Sequence, residues 1–242
     1  MMAGRTMSDR AEFEKAKISM SRAFERKTDL CEPFLRMLPV TGAAVSVLNT
    51  HIGQSTLSAS DPTAEWLDEL QFDLGEGPCW DAMSNRAPVL RSRLGYEESR
   101  SWPLFTEAVL TGQHGPGVTG VFAFPLVLGS IELGAVDLYS SDAVMLSGQQ
   151  VSDASQLATL ATWQVLRQKL ADDPELEDAT PNSRREIHQA AGMILVQAGV
   201  NIDDASLLLR AHAFAAGRTV LEVAIDVVDR LIDFSDFSGS DA

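Results

Sequence analysis

The chain has 242 residues, a formal net charge of −15, 45% hydrophobic residues and 22% charged ones. That length suits two domains and that composition is globular, so wholesale disorder is excluded. The acidity argues against general affinity for nucleic acid or anionic membranes, and any RNA contact must be local and selective. Only Cys31 and Cys79 occur, too few for a disulfide framework and suited to a reducing compartment. No apolar run reaches the roughly 18 residues of a membrane span. Arg5, Asp9, Arg10, Glu12 and Glu14 interrupt any segment that would read as a signal peptide. The expected location is the cytoplasm.

Residues 8–38 show a helical pattern, with Phe13, Met20 and Phe24 on one side and then Leu30, Phe34, Leu35 and Leu38. A break is expected near Asp29, and Pro39 and Gly42 end the pattern. From Gly42 the pattern turns to strands. Residues 43–48 and 54–59 predict a hairpin around His51, Ile52 and Gly53, and residues 118–128 and 131–139 predict a second around Gly129-Ser130. A short strand is expected at 88–90, and helices at 63–71, 79–85 and 103–110. Antiparallel strands with helices between them give an α+β sheet domain.

Residues 147–170 read as one helix whose Val151, Ala154, Ala158, Ala161 and Val165 form a seam of small side chains. The seam suits a homodimer contact or packing under the sheet. The acidic stretch 172–182, with Pro174 and Pro181, is the expected linker.

Beyond it, residues 183–234 predict three short helices. Ser183 with Glu186 and Thr219 with Glu222 form capping boxes, and Asn201 with Asp204 offers a related start. Gly199 and Gly217 mark the stops of the first two helices. The apolar faces are Ile187, Ala191, Ile194 and Leu195; Ala205, Leu208, Leu209 and Ala213; and Val220, Val223, Ala224, Val227, Val228 and Leu231. Gly192 inside the first helix costs ~1 kcal/mol relative to Ala, so helix packing or close approach of a ligand is expected there. The tail from Ser235 is small and polar.

Little in the sequence points to catalysis. Residues 115–120 spell G-x-G-x-x-G, but a loop before a strand reverses the context that fingerprint needs. His51, His114, His188 and His212 have no metal-ligand spacing with either cysteine, and no metal is expected. Cys79 follows Gly-Pro at a helix start, where exposed amides favour a thiolate; a small buried side chain is the simpler reading. Trp80, Trp102, Phe105, Phe122 and Phe124 can line a pocket or form the core, and the core is favoured because aromatics dominate burial.

The run Gly75-Glu76-Gly77-Pro78-Cys79-Trp80-Asp81-Ala82, with Pro88-Val89, Phe124-Pro125-Leu126 and the segment 133–139, is similar to bacterial GAF domains. The resemblance spans most of residues 31–171. It implies a sensory or dimerising module with a pocket between sheet and helices, for which Cys79, Trp80, Trp102, Phe105, Phe122 and Phe124 are the expected lining. The Asn-Lys-Phe-Asp-Glu signature of cyclic-nucleotide-binding relatives is absent, and the ligand, if any, is a small molecule of unknown identity.

Ile187-His188-Gln189-Ala190-Ala191-Gly192-Met193-Ile194, followed by Asp204-Ala205, Leu209-Arg210, Ala213, Arg218-Thr219 and Val223-Ala224, resembles the ANTAR domain of bacterial transcription antiterminators. The resemblance implies a three-helix bundle that binds paired RNA hairpins of nascent transcripts as a dimer. Gln189, Gly192, Arg210, His212, Arg218 and Thr219 are the residues expected near RNA. Ala191 stands where the family often has Lys, which removes one phosphate contact. Residues 181–242 carry five arginines (184, 185, 210, 218, 230) against nine acids, so recognition is expected through loop bases and a local group of cations.

The expected organisation is an N-terminal helix (1–30), a GAF-like domain (31–171), an acidic linker (172–182) and an ANTAR-like bundle (183–242). The expected function is signal-responsive, RNA-binding control of antitermination without catalysis. Two other classes are a protein-interaction module without RNA and a thiol-dependent GAF-type methionine sulfoxide reductase, in which Cys31 is the one thiol available to resolve Cys79.

Overall fold

The computed structural model describes residues 7–23, 29–48, 54–95, 101–111, 117–171 and 185–235. The chain divides into two compact units, Met1–Thr180 and Pro181–Ala242. The predicted Ser183 capping box, the linker at 172–182, the His51–Gly53 turn, Phe24 and the tail beyond Ser235 lie outside the described residues. Among the described residues no helix is long and apolar enough to cross a membrane.

The first unit is built on β1 (Gly42–Val47), β2 (Ser55–Ala59), β3 (Val89–Arg91), β4 (Gly120–Leu128) and β5 (Ile131–Ser140), with helices α1 (Met7–Ser21), α2 (Glu32–Met37), α3 (Pro62–Leu74), α4 (Pro78–Asn85), α5 (Pro103–Thr111) and α6 (Gly148–Ala171). The sheet order is β2-β1-β5-β4-β3, with every neighbouring pair antiparallel. Both expected hairpins form: β1 pairs with β2, and β4 pairs with β5 around Gly129-Ser130. All six residues of β1 are buried, as a strand covered on both faces requires.

Helices cover each face of the sheet. Val45, Phe122, Phe124, Val136 and Leu138 form one core with Phe13, Met20 and Phe34 and with Ala154, Leu157, Ala158, Ala161 and Val165 of α6. Small side chains let α6 lie close to the strands, and the sheet consumes the stripe. Ala158 keeps 2% exposure inside this unit, so of the two readings of the stripe the structure shows packing under the sheet. On the other face Ala44, Val121 and Tyr139 pack with Ala64, Leu67, Trp102, Phe105 and Val109. Strand alternation separates the two sets, since successive residues of β5 point to opposite faces.

The second unit consists of α7 (Arg185–Ala198), α8 (Ile202–Ala216) and α9 (Val220–Val228). Ile187, Ala190, Ala191, Ile194, Ala205, Leu209, Ala213, Val220, Val223, Ala224 and Val227 are buried. Asn201 caps α8 by accepting the Asp204 N–H, and Thr219 with Glu222 forms a full capping box on α9. Gly199 and Gly217 take φ of 67° and 63° beyond the ends of α7 and α8. Leu231, expected on the apolar face, is exposed instead. α9 stops at Val228, and Arg230 at φ 60° turns the chain away before a further helical turn forms. Phe234 supplies that contact: it is buried, its ring meets His212 edge-on at 5.4 Å, and its N–H donates to Gln197 Oε1 at 3.1 Å.

Candidate functional site

The site of the first unit grows from α3. Asp61 starts that helix by accepting the backbone N–H groups of Thr63 and Ala64, Pro62 suits the first helical position, and Gly75 at φ 67° closes the end. One face of α3 is apolar through Ala64, Leu67 and Phe72, yet Asp68 and Gln71 are also buried on it. A buried polar group needs a partner, and each has one. Asp68 accepts from Ser46 Oγ at 2.5 Å and from Thr56 Oγ1. Gln71 donates through Nε2 to Asp137 Oδ1 at 3.1 Å and accepts the Cys79 N–H on Oε1 at 2.8 Å.

The Gln71–Cys79 bond places α4. Gly77, just before it, has φ 140°, and a Cβ there would stand 2.5 Å from Gln71 Cγ, so both the turn and the close approach require glycine. Trp80 Nε1 donates to Gln71 O at 2.8 Å, and Trp102 Nε1 donates to Asp81 Oδ2 at 3.0 Å. Glu76 accepts the Phe105 N–H at 2.8 Å and so fixes the start of α5.

These elements enclose a cavity lined by Ala64, Leu67, Gln71, Pro78, Phe105, Val121, Asp137, Leu138 and Tyr139. Its accessible volume is about 10 Å³, room for one water-sized group. Asp137 is the unusual wall residue. Its Oδ2 is buried and has no hydrogen-bond partner among the described residues. Burial, and then the nearby Asp68 carboxylate, push its pKa up to about 8, against the pull of the Gln71 amide. Tyr139 donates its hydroxyl to Asp61 Oδ1 at 3.0 Å, and burial followed by that carboxylate pushes the phenol up to about 12.

Of the six residues expected to line a pocket, Phe105 alone lies in the cavity wall. Trp102 stands behind it, edge-on with ring centroids 6.4 Å apart. Cys79 and Trp80 touch the site through Gln71, while the Cys79 side chain packs with Leu48 and Ala135. Phe122 and Phe124 face α6 in the other core. Asp137, Gln71, Tyr139 and Asp68 were absent from the expected set. A signal for Asp137 existed: it has the same strand parity as Ala135 and Tyr139, which puts a carboxylate on a buried face.

Cys31 belongs to the α6-side core, where burial raises its thiol pKa, and its Sγ contacts Ser58 Oγ at 3.3 Å. The two cysteines therefore pack in separate clusters. Among the described residues no group of three His, Cys, Asp or Glu side chains could hold a metal ion.

In the second unit Gln189 is exposed on α7 and Gly192 is half-buried, and among the described residues nothing beyond its own helix backbone and chain neighbours lies within 4 Å of where its Cβ would stand. Arg210 and His212 are half-buried on α8. Arg218 is exposed; it donates to Asp226 Oδ2 at 2.7 Å and to Glu222 O at 3.2 Å. Thr219 is the N-cap of α9.

Comparison with solved structures finds the GAF domain of an Acinetobacter phosphoenolpyruvate-protein phosphotransferase, 8% identical over 70% of this chain and 99% of that one, with a TM-score of 0.51. The corresponding GAF domain from Coxiella burnetii is 11% identical over 66% and 96%, with a TM-score of 0.50. A free methionine-R-sulfoxide reductase from Neisseria meningitidis, in complex with its substrate, is 10% identical over 71% and 98%, with a TM-score of 0.48. No protein-family model matches the sequence, and no curated protein does. The first two likenesses show the fold: a GAF-type antiparallel sheet with helices, in the α+β class.

Proposed function

We propose that the protein is a signal-responsive regulator of transcription antitermination, in which the GAF-fold unit takes a small molecule and controls RNA binding by the three-helix unit. The working form is a cytoplasmic homodimer that binds paired hairpins of nascent RNA. The observation that carries this reading is how the ANTAR-like motif is divided. Ile187, Ala190, Ala191, Ile194, Ala205, Leu209, Ala213, Val223 and Ala224 are buried, whereas Gln189, Arg218 and Thr219 stay exposed. The shared residues thus build a bundle and leave polar groups outside it.

Arg218 can exchange partners cheaply. Its bond to Asp226 is solvent-exposed, and such pairs contribute little to stability. A phosphate or a base edge offers an equivalent acceptor. The GAF-fold unit acts by binding its ligand more tightly in the RNA-competent arrangement, and the coupling is reciprocal.

The test is hairpin affinity against salt for the parent, Arg210→Ala and Arg218→Ala, with circular dichroism on each. Each change should weaken binding by ~1–3 kcal/mol if the arginine reads a base, or flatten the salt slope if it meets phosphate. Unaltered affinity in both folded variants would sink the RNA reading.

A second reading, a protein-interaction module, draws on the exposed Leu207, Phe214 and Leu231 of the same unit. It predicts a stable protein partner and no selected RNA. The proposal includes no catalysis, because thiol-dependent reduction needs a resolving partner for the attacked thiol, and Cys31 and Cys79 pack in different clusters.

A further inference from the structure

The buried carboxyl of Asp137 lies in the wall of the cavity beneath α5, the buried carboxyl of Asp68 stands near enough to act on it, and no Lys, Arg or His is among the lining residues. Asp68 is served by the hydroxyls of Ser46 and Thr56. Among the described residues Asp137 is served on one oxygen, by Gln71, and its Oδ2 is buried without a partner in a wall that is otherwise mostly apolar. An unmet buried acceptor costs free energy, and an unpaired buried carboxylate costs more. The space beside it is the size of one small polar group.

We propose that this cavity receives the protonated head of a small primary amine, with Asp137 as its anchoring carboxylate. The inference rests on reading the first unit as a ligand-binding sensor, and it gives that ligand a chemical class. An ammonium group supplies an N–H to Oδ2 and a positive charge that offsets the two carboxyl groups. A neutral hydroxyl or amide supplies only the first. The Tyr139 oxygen, which donates its own proton to Asp61, has lone pairs for a further N–H.

The proton balance follows. Near neutral pH the Asp137 carboxyl is largely protonated, being pushed up to about 8. On binding, its O–H bond breaks, the proton leaves to solvent, and an ammonium–carboxylate pair remains. Binding therefore tightens as pH rises towards that value. The titratable groups around Asp137 are Asp68 on α3, Asp61 before it, Tyr139 on β5, and Cys79 of α4 through the Gln71 link; Glu76 holds the α5 roof.

The test uses the full chain labelled with carbon-13 at its Asp carboxyl groups, titrated at pH 7 with methylammonium chloride at constant ionic strength. Tetramethylammonium chloride, which has no N–H and is larger, is the control. A ligand of two heavy atoms binds no tighter than roughly 10 mM at the ligand-efficiency ceiling, so the titration must extend well past that. The Asp137 carboxyl signal is expected to move saturably from its protonated towards its ionised position with methylammonium alone, with proton release. Asp137→Asn should abolish the saturable rise in melting temperature that methylammonium gives the parent. A carboxyl signal that stays put, or follows both salts alike, overturns the proposal and leaves water as the occupant. If the Asn variant does not fold, the parent's carboxyl signal decides alone. No RNA is present, so failure here leaves antitermination standing, and loss of the RNA reading leaves this result unchanged.

Discussion

Tyr139 donates its hydroxyl to Asp61 Oδ1 at 3.0 Å, the same oxygen that accepts the N–H groups of Thr63 and Ala64 at the start of α3. One carboxylate thus joins a central strand to the first turn of the helix beside the cavity. Asp61→Ala removes the cap, worth ~1 kcal/mol, and strands a largely buried phenol at a further cost of ~1–3 kcal/mol. Asp61→Asn keeps an acceptor and should lose less. Urea unfolding at pH 7 compares them; equal losses would show that capping is not what Asp61 contributes.

Ala158→Glu places a carboxylate in the core between α6 and the sheet, where Ala158 is 2% exposed. Burying an unpaired charge is strongly unfavourable, so the expected outcome is an unfolded first unit and not a folded monomer. Circular dichroism beside sedimentation distinguishes the two. A native spectrum with altered sedimentation would mean that the stripe faces another subunit after all.

Asp137 also sets a pH dependence. Its folded pKa, about 8, lies above the ordinary carboxylate value, so the folded state binds the proton more tightly than the unfolded one. The stability contributed by that proton is fully present below the unfolded value near ~4 and is lost as pH rises through about 8. The parent's urea midpoint should therefore fall between pH 6 and pH 9 relative to that of Asp137→Asn, flanking the cited value of about 8. Parallel pH profiles for the two proteins would contradict the assignment.

Gly192→Ala separates structure from recognition in α7. Among the described residues a Cβ at this position meets nothing within 4 Å beyond its own helix backbone and chain neighbours, so the helix should gain ~1 kcal/mol in the thermal or urea unfolding of the second unit. Weaker hairpin binding in this more stable variant would identify close backbone approach by RNA as the reason for the glycine. A loss of stability would mean that the site is not open.

The elements were legible where local chemistry decides them. Gly129-Ser130 marks a hairpin turn between two apolar runs, and Asn201, Thr219 and Gly217 act at the helix ends that their side chains or backbones suit. What composition cannot supply is which face a residue serves. Phe105 and Phe122 are both buried aromatics, yet one lines the cavity and the other packs beneath α6. The spacing of Ala154, Ala158 and Ala161 fits a subunit seam and a sheet contact equally well, and only the position of β4 and β5 settles it. Asp137 was missed because an apolar strand context conceals a single acid, and its role depends on Gln71, 66 residues away in sequence.

Strand β5 is a partition one chain thick. Asp137 and Tyr139 stand on the cavity side, and Val136 stands on the other, in the core with Leu157, Ala158 and Ala161 of α6. Close-packed interiors have little compressibility, so a displacement imposed on one side of such a partition has to be absorbed on the other. The side chains that would absorb it belong to a 24-residue helix ending at Ala171, on the way to the second unit. Filling the cavity would therefore be expected to press through β5 on the seat of that helix.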